Sequence, residues 1–256
     1  MNRIDKLFEV RKKNILSIYF TAGYPSLNST EKIILLLEKN GADMIEIGIP
    51  YSDPLADGPV IQETSKEAIS NGMSIEQLFV QLKDIRKKTT IPLLLMGYLN
   101  PVLQYGFNDF CRKAAKIGID GLIIPDLPVR EFKEQFKEIM NMHDLKNIFL
   151  ITPVTSDERI RDIDNCSSGF IYLVSSASTT GSTSGFNIRN IEYFKRVSSM
   201  KLKNPLMAGF GIHNRETLEQ VSVFCQGAII GSAFIRSLKG HSIEEGVETF
   251  FESLRK

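Results

Sequence analysis

Short apolar segments alternate with amphipathic ones eight times along the chain, and this alternation restricts the possible folds more than any other feature. Each segment is too short for a helix and rich in apolar residues, as is typical of a strand buried on both faces. The stretches between them carry apolar residues three and four positions apart, which is the helical period. The segments are IYFT (18–21), MIEIGI (44–49), IPLLLMG (91–97), GLIIP (121–125), NIFLIT (147–152), GFIYLVS (169–175), NPLMAGF (204–210) and GAIIGS (227–232).

Eight strand–helix units in 256 residues predict an α/β fold, a closed (β/α)8 TIM barrel rather than an open doubly wound sheet. We expect an extra N-terminal helix at residues 2–13, where it would cover the bottom of the barrel. No linker or shift in composition divides the chain, so residues 1–256 are predicted to form a single catalytic domain.

Charge and cysteine content argue against several classes of function. With 31 basic and 30 acidic residues and a net charge of +1, the chain has no basic excess for nucleic acid. We expect no signal peptide and no membrane span, because no apolar run reaches about 18 residues. Three cysteines without CxxC spacing indicate neither disulfides nor zinc, and a cytoplasmic location is expected. The three histidines lack metal-binding spacing, so no metal is expected.

Two glycine-containing turns follow the last two predicted strands. Gly211 comes after the seventh strand and Gly231-Ser232 after the eighth, where barrels often bind phosphate through backbone N–H groups. Gly181, in a long loop rich in Ser, Thr and Gly after the sixth strand, could add another donor. These glycines could instead only permit tight turns. Their occurrence on consecutive strands favours phosphate, and hence a phosphorylated small-molecule substrate.

Glu46 stands inside an apolar run, between Ile45 and Ile47. If the isoleucines face the helices, Glu46 faces the barrel interior, because side chains alternate along a strand. A carboxyl group there is expected to have a raised pKa or several hydrogen bonds, and either makes it a proton carrier. Asp57 lies in the loop after this strand, where capping the next helix or forming an Asx turn is its ordinary role. Tyr172 faces inward by the same alternation, as a core residue or with its hydroxyl beside Glu46.

These residues alone predict acid–base chemistry on a phosphorylated small molecule without a cofactor. The strand ends carry no lysine for a Schiff base, which disfavours that class of aldolase. Isomerase and lyase both remain open at this point.

The segment MIEIGIPYSDPLADGPVIQ (44–62) resembles the signature of the tryptophan synthase alpha subunit family. Further matches follow in order along the chain, so the resemblance covers most of it. They are FTAGYPS (20–26), LLLMGYLNPV (93–102), PDLPVRE (125–131), IYLVS (171–175), GFGI (209–212) and IIGSAF (229–234). The resemblance implies a lyase that cleaves indole-3-glycerol phosphate to indole and glyceraldehyde 3-phosphate by a retro-aldol step, within tryptophan biosynthesis.

The resemblance also implies roles for individual residues. Glu46 matches the general acid–base glutamate, which handles the proton at ring carbon 3 and that of the 3′-hydroxyl. Asp57 matches the loop aspartate that hydrogen-bonds the indole N–H. Thr180 matches a threonine that hydrogen-bonds this aspartate when the loop closes. The other matched positions are Tyr19, Met96 and Ile123 against the indole ring, the site tyrosine Tyr172, and Gly181, Gly211, Gly231 and Ser232 around the phosphate.

The chain departs from some family members at two of these places. Tyr19 stands where some relatives have Phe, and Ser176 where some have Arg. The second difference affects the expected details of loop closure rather than the reaction.

The family works with a partner, so the resemblance implies an α2β2 complex with a beta subunit that receives the indole. Pyridoxal phosphate belongs to that partner, and no cofactor is expected in this chain. Asp53, Pro54 and Asn100 are candidate docking positions. Two rival interpretations remain open: a stand-alone lyase that releases indole, and a subunit without turnover that only senses ligand. Retention of Glu46 and Asp57 argues against the second.

Overall fold

The computed structural model describes residues 1–175 and 186–255. Eight parallel strands close into a barrel in sequence order, with the last strand paired to the first. The strands are β1 (Ile15–Thr21), β2 (Met44–Gly48), β3 (Leu93–Met96), β4 (Gly121–Ile123), β5 (Lys146–Ile151), β6 (Ile171–Val174), β7 (Leu206–Gly209) and β8 (Gly227–Ile230). The predicted TIM barrel is confirmed, and each strand overlaps the apolar segment that predicted it.

Helices surround the barrel and connect its strands. A 3-10 turn (Ile85–Lys87) precedes β3, and a π-helical turn (Phe132–Phe136) joins the seventh and eighth helices. The helices are α1 (Arg3–Val10), α2 (Ser29–Asn40), α3 (Pro59–Ser70), α4 (Ile75–Leu82), α5 (Leu99–Tyr105), α6 (Phe107–Lys116), α7 (Val129–Glu131), α8 (Lys137–Met142), α9 (Asp157–Cys166), α10 (Ile188–Ser199), α11 (Arg215–Ser222), α12 (Ser232–Ser237) and α13 (Ile243–Arg255).

The register of the first strands determines which side chains enter the barrel. Tyr19 on β1 pairs with Glu46 on β2, which in turn pairs with Leu94 on β3. Paired residues of adjacent strands point to the same face of a sheet. Every residue of β2 is buried, as expected for a strand with the core on one face and helices on the other.

The N-terminal helix α1 covers the amino ends of the strands, as predicted. Asn2 Nδ2 donates to the backbone oxygens of Asp120, just before β4 (2.9 Å), and Asp144 (2.8 Å). The Phe8 and Phe170 rings lie 6.1 Å apart, and Phe170 directly precedes β6. The helix ends at Val10 rather than at the predicted residue 13, because the backbone at position 11 is extended.

The long loop after β6 falls on residues 176–185, so the predictions for Thr180, Gly181 and Ser176 lie outside the described residues.

Among the helices that the structure describes, none combines the length and the hydropathy needed to traverse a lipid bilayer.

Candidate active site

A cavity of about 280 Å³ opens at the carboxyl ends of the strands. Its wall is built by β1, β3, β6 and the connections that follow β2, β7 and β8. The residues that line it include Tyr19, Asp57, Met96, Tyr172, Phe210, Gly211, Ile212, His213, Gly231, Ser232 and Arg236. The cavity therefore occupies the position at which TIM barrels carry their active sites.

Glu46 lies in the barrel interior and is fully buried. Ser17 Oγ donates to its Oε1 at 2.9 Å, and its Oε2 has no hydrogen-bond partner within the described ranges. Burial raises the pKa of Glu46 to about 8, and the hydrogen bond from Ser17 lowers it in part. The carboxyl group is therefore mostly protonated at neutral pH. Glu46 is not among the cavity-lining residues, although Tyr19 and Tyr172, which line the cavity, interact with it electrostatically.

The interaction with Tyr172 establishes the direction of the Glu46 side chain. Tyr172 is on β6, which is not a neighbour of β2 in the barrel. Side chains on strands this far apart influence each other across the interior, and Glu46 is also in register with Tyr19, which lines the cavity. The inward orientation of Glu46 predicted from strand alternation is thus confirmed.

Each cavity tyrosine lies across a glycine on the following strand. A Cβ atom on Gly48 would lie 2.2 Å from Tyr19 Oη, and one on Gly209 would lie 2.1 Å from Tyr172 Oη. These distances are far below any normal contact, so both positions require glycine while the tyrosines are in place. Burial raises the pKa of both tyrosines well above its usual value, and their hydroxyls stay uncharged.

Asp57 is held by a tyrosine rather than by the helix that follows it. Tyr98 Oη donates to Asp57 Oδ2 at 3.0 Å and accepts from the Ala56 N–H at 2.9 Å. The N-cap of α3 is Gly58, without a side-chain hydrogen bond, so the capping interpretation of Asp57 is wrong. Burial raises the pKa of Asp57 to about 6, and the Tyr98 bond lowers it in part. Asp57 is therefore mostly ionised at neutral pH.

The far end of the cavity contains the predicted glycine turns. Gly211 has a φ of 73°, a left-handed backbone that favours glycine, and Gly231 directly precedes α12. His213 and Arg236 also line this end, and His213 Nδ1 lies 2.9 Å from the Gly211 oxygen. The cavity thus extends from Asp57 to the two turns that were predicted to bind phosphate.

The predicted ring-binding residues do not all reach the cavity. Tyr19 and Met96 line it, whereas Ile123 is fully buried in β4 and is absent from its described wall. Ile123 is paired in register with Met96 on the neighbouring strand. It therefore supports the cavity wall rather than forming its surface.

Sequence analysis missed four residues of this region. Tyr98 lies two positions after the end of β3, and the loop after a barrel strand is itself a signal for a site residue. Ser17 lies two positions before Tyr19, so strand alternation places both on the inner face. His213 and Arg236 lie beyond the glycine turns, and nothing in their local pattern shows that they reach the cavity.

The three candidate docking positions lie at the surface beside the cavity. Asp53 and Asn100 are exposed and Pro54 is partly exposed, while Leu55 between them is 92% exposed. Asn100 Nδ2 donates to Tyr51 Oη at 3.4 Å, and the Tyr51 ring lies 5.2 Å from that of Tyr98. This surface therefore connects through two aromatic rings to the residue that holds Asp57.

Metal ligands are not grouped anywhere in residues 1–175 and 186–255: no cluster of three or more His, Cys, Asp or Glu side chains is placed to hold an ion. The fold and the cavity define a class of TIM-barrel protein, one with a cavity for a small molecule at the carboxyl ends of its strands and two carboxyl groups of raised pKa at or behind the cavity wall.

Comparisons with known proteins identify the member of this class. The family model described as tryptophan synthase alpha chain matches residues 6–255. The tryptophan synthase alpha chain of Flavobacterium psychrophilum is 60% identical over 243 residues, which cover 95% of this chain and 96% of the relative. The chain belongs to the tryptophan synthase alpha chain family, the lyases of tryptophan biosynthesis that cleave indole-3-glycerol phosphate. The resemblance stated from the sequence is confirmed.

Solved structures agree with this assignment. The crystal structure of tryptophan synthase subunit alpha from Legionella pneumophila superposes with a TM-score of 0.88 at 35% identity, covering 100% of this chain and 97% of that one. A chain of the tryptophan synthase complex from Pyrococcus furiosus superposes with a TM-score of 0.85 at 33% identity, covering 96% and 99%. The family thus includes members that have been solved as complexes.

Proposed function

We propose that Glu46 and Asp57 carry out the cleavage of indole-3-glycerol phosphate in this chain, Glu46 as the proton carrier and Asp57 as the group that stabilises positive charge. The observation that supports this division is the difference in protonation between the two. Burial raises the pKa of Glu46 to about 8 and that of Asp57 to about 6, so one is neutral and the other ionised near pH 7. Such a separation is the usual basis for assigning acid and base roles.

The proposed reaction begins with neutral Glu46, which donates its proton to carbon 3 of the indole ring. The ring nitrogen becomes positively charged, and the Asp57 carboxylate accepts a hydrogen bond from its N–H. Glu46, now a carboxylate, then accepts the proton of the 3′-hydroxyl. The carbon–carbon bond breaks, its electrons return to the ring, and the former hydroxyl carbon becomes the aldehyde of glyceraldehyde 3-phosphate. Glu46 ends the cycle protonated.

The cavity supports an orientation for the substrate. Tyr19, Met96 and Tyr172 form an apolar wall near Asp57, which suits the indole ring. We assign the phosphate to the backbone N–H groups of Gly211, Gly231 and Ser232 at the other end. Gly181 at the phosphate and Thr180 as a partner of Asp57 stay predictions, because both lie outside the described residues. Because Glu46 is behind the cavity wall, its carboxyl group has to reach the ring between Tyr19 and Tyr172.

We also propose that the chain acts in an α2β2 complex and contributes no cofactor of its own. Pyridoxal phosphate would then belong to the beta subunit, which condenses the released indole with serine. The exposed surface of Asp53, Pro54 and Asn100 lies beside the cavity and suits this docking. This inference is supported by the relative from Pyrococcus furiosus, whose structure was solved as a tryptophan synthase complex.

Indole release tests the proposal. Glu46→Gln and Asp57→Asn should each lower turnover by about a hundredfold or more while glycerol phosphate still binds, because the changes remove proton transfer or charge stabilisation and not the phosphate site. Near-normal turnover in either variant contradicts its assigned role.

The same assay, with and without added beta subunit, separates the rival interpretations. Strong activation supports the complex, and fast turnover without the partner supports a stand-alone lyase. A chain that binds glycerol phosphate but shows no turnover under either condition would be a ligand sensor.

A further inference from the structure

The two oxygens of the Glu46 carboxyl group have different surroundings. Oε1 accepts a hydrogen bond from Ser17 Oγ at 2.9 Å, whereas Oε2 is buried and has no partner in the part of the chain that the structure describes. A neutral carboxylic acid has one oxygen that carries the proton and one that can only accept. Ser17 donates to Oε1, so Oε1 is the accepting oxygen and Oε2 is left to carry the proton.

Ser17 is itself unusual for its position. It is fully buried on the inner face of β1, in the segment ILSIYFT. An apolar side chain at this position would avoid the free-energy cost of burying a hydroxyl group. A buried hydroxyl without a hydrogen bond costs free energy. The Ser17 side chain makes no other hydrogen bond to a described residue, so Glu46 is what satisfies this hydroxyl.

The other groups that face Glu46 supply no positive charge. Tyr19 interacts electrostatically with it from β1 and Tyr172 from β6, and burial raises the pKa of each tyrosine. The tyrosines are neutral, and Asp57, which interacts with the same two tyrosines, is an acid, so none of these groups favours ionisation of Glu46. Burial raises the pKa of Glu46, and the Ser17 hydrogen bond is the contact that lowers it.

We propose that Ser17 is a positioning residue for Glu46: it holds Oε1, leaves Oε2 as the oxygen that carries the transferred proton, and stabilises the carboxylate formed during the cycle. This inference rests on the proposed role of Glu46. It adds a third side chain, from the first strand, to the proposed catalytic pair of Glu46 and Asp57.

The test is the pH profile of kcat/KM for the full-length chain and three variants, because this quantity reports groups of the free enzyme, in which the Ser17 bond is present. Ser17→Ala removes the donor, so the limb that belongs to Glu46 should move to higher pH. The value of kcat/KM at neutral pH should fall about tenfold, as expected when a charged group loses a hydrogen bond. Ser17→Thr keeps the hydroxyl, so it should restore both the position of the Glu46 limb and the value of kcat/KM at neutral pH.

Tyr98→Phe is the matched control. It removes the hydroxyl that donates to Asp57 and should move the acidic limb, which belongs to Asp57, while the Glu46 limb stays in place. An unchanged Glu46 limb in Ser17→Ala overturns the proposal. So does a displacement of both limbs together, which would mean a general loosening of the site.

A second measurement keeps the proposal testable if Ser17→Ala is too slow to assay. The Glu46 carboxyl carbon is titrated by NMR in protein labelled at glutamate, with Glu46→Gln identifying its resonance. Glu46 should titrate at higher pH in Ser17→Ala than in the natural chain and in Ser17→Thr, and equal titration overturns the inference. If Glu46→Gln itself retains turnover, the proposed function fails instead, so the two failures are distinguishable.

Discussion

The opposite protonation of Glu46 and Asp57 predicts a bell-shaped pH dependence of kcat/KM. In the proposed mechanism Asp57 acts as the carboxylate, so the rate should rise as the pH passes about 6. Glu46 acts in its protonated form, so the rate should fall as the pH passes about 8. Steady-state assays of indole release from pH 5 to 10 measure both limbs. A value of kcat/KM that stays constant over this pH range contradicts the roles assigned to Glu46 and Asp57.

Glu46 should also make the stability of the unligated protein depend on pH. Burial raises its pKa from 4.5 to about 8, so the folded state holds a proton that the unfolded chain releases between these values. Stability is highest below pH 4.5 with respect to this group and is lost as the pH rises through 8. Glu46→Gln cannot ionise, so at pH 9 it should be more stable than the natural chain by on the order of 4 kcal/mol.

Urea unfolding at several pH values measures this difference. At pH 4 the two proteins should have similar free energies of unfolding, which serves as the internal control. Equal stability at pH 9 would mean that the folded protein accommodates the Glu46 carboxylate without cost.

At the scale of elements, β1 and β2 are linked by the contact between Tyr19 and Gly48. A Cβ at position 48 would lie 2.2 Å from Tyr19 Oη, so Gly48→Ala should displace the ring into the cavity. Overpacking of this kind typically costs about 1–3 kcal/mol, and ligand binding should weaken as well. Thermal unfolding and titration with indole measure the two effects.

A double-mutant cycle provides the control for this prediction. In a Tyr19→Ala background the clash is gone, so the further change Gly48→Ala should be nearly neutral. An equally large cost in both backgrounds would show that the tyrosine is not what excludes a side chain at position 48.

The start of β4 is tied to its neighbours through Asp120, which is buried. Its oxygens accept from Arg3 at 2.9 Å, from Arg86 at 2.7 Å and from the Leu93 N–H at 2.8 Å. Removing one partner of a buried ion pair leaves the other charge uncompensated, so Asp120→Ala should destabilise the fold by about 3 kcal/mol or more. Urea unfolding measures it, and kcat should change little because this end of the barrel is remote from the cavity.

Asp109→Ala is the matched control for Asp120→Ala. Asp109 also pairs with an arginine, Arg112, at 3.0 Å, but both side chains are more than half exposed. Exposed pairs contribute little to stability, so this change should leave the unfolding midpoint almost unaltered. Equal effects of the two substitutions would contradict the importance assigned to burial.

The apolar segments and the helical spacing between them predicted the elements well, but they could not predict the contacts between those elements. The inward direction of Glu46 followed from Ile45 and Ile47 alone, since the period of a strand is two. The hydrogen-bond partner of Asp57 could not be predicted in this way, because Tyr98 is 41 residues away and only the closed barrel brings the two residues together. The capping interpretation of Asp57 failed for the same reason: a local pattern was outweighed by a tertiary hydrogen bond.

Across the whole molecule, the proposed docking surface and the cavity are connected through Tyr51 and Tyr98. Asp53→Ala and Asn100→Ala should therefore reduce the activation of indole release by a beta subunit severalfold, while basal turnover without the partner stays unchanged. Titration of the beta subunit in the indole assay measures both quantities. A loss of basal turnover with normal activation would place these residues in the site rather than in the interface.

That the whole chain is a single domain also remains a prediction.

The tyrosines that lie across glycines have a consequence for enzyme engineering. Because Gly48 and Gly209 carry no side chains, shortening Tyr19 or Tyr172 would open space down to the bare backbone of the neighbouring strand. Cavities enlarged in this way could admit indole rings with added substituents, and the two tyrosines are the positions at which substrate range could be widened without altering either carboxyl group.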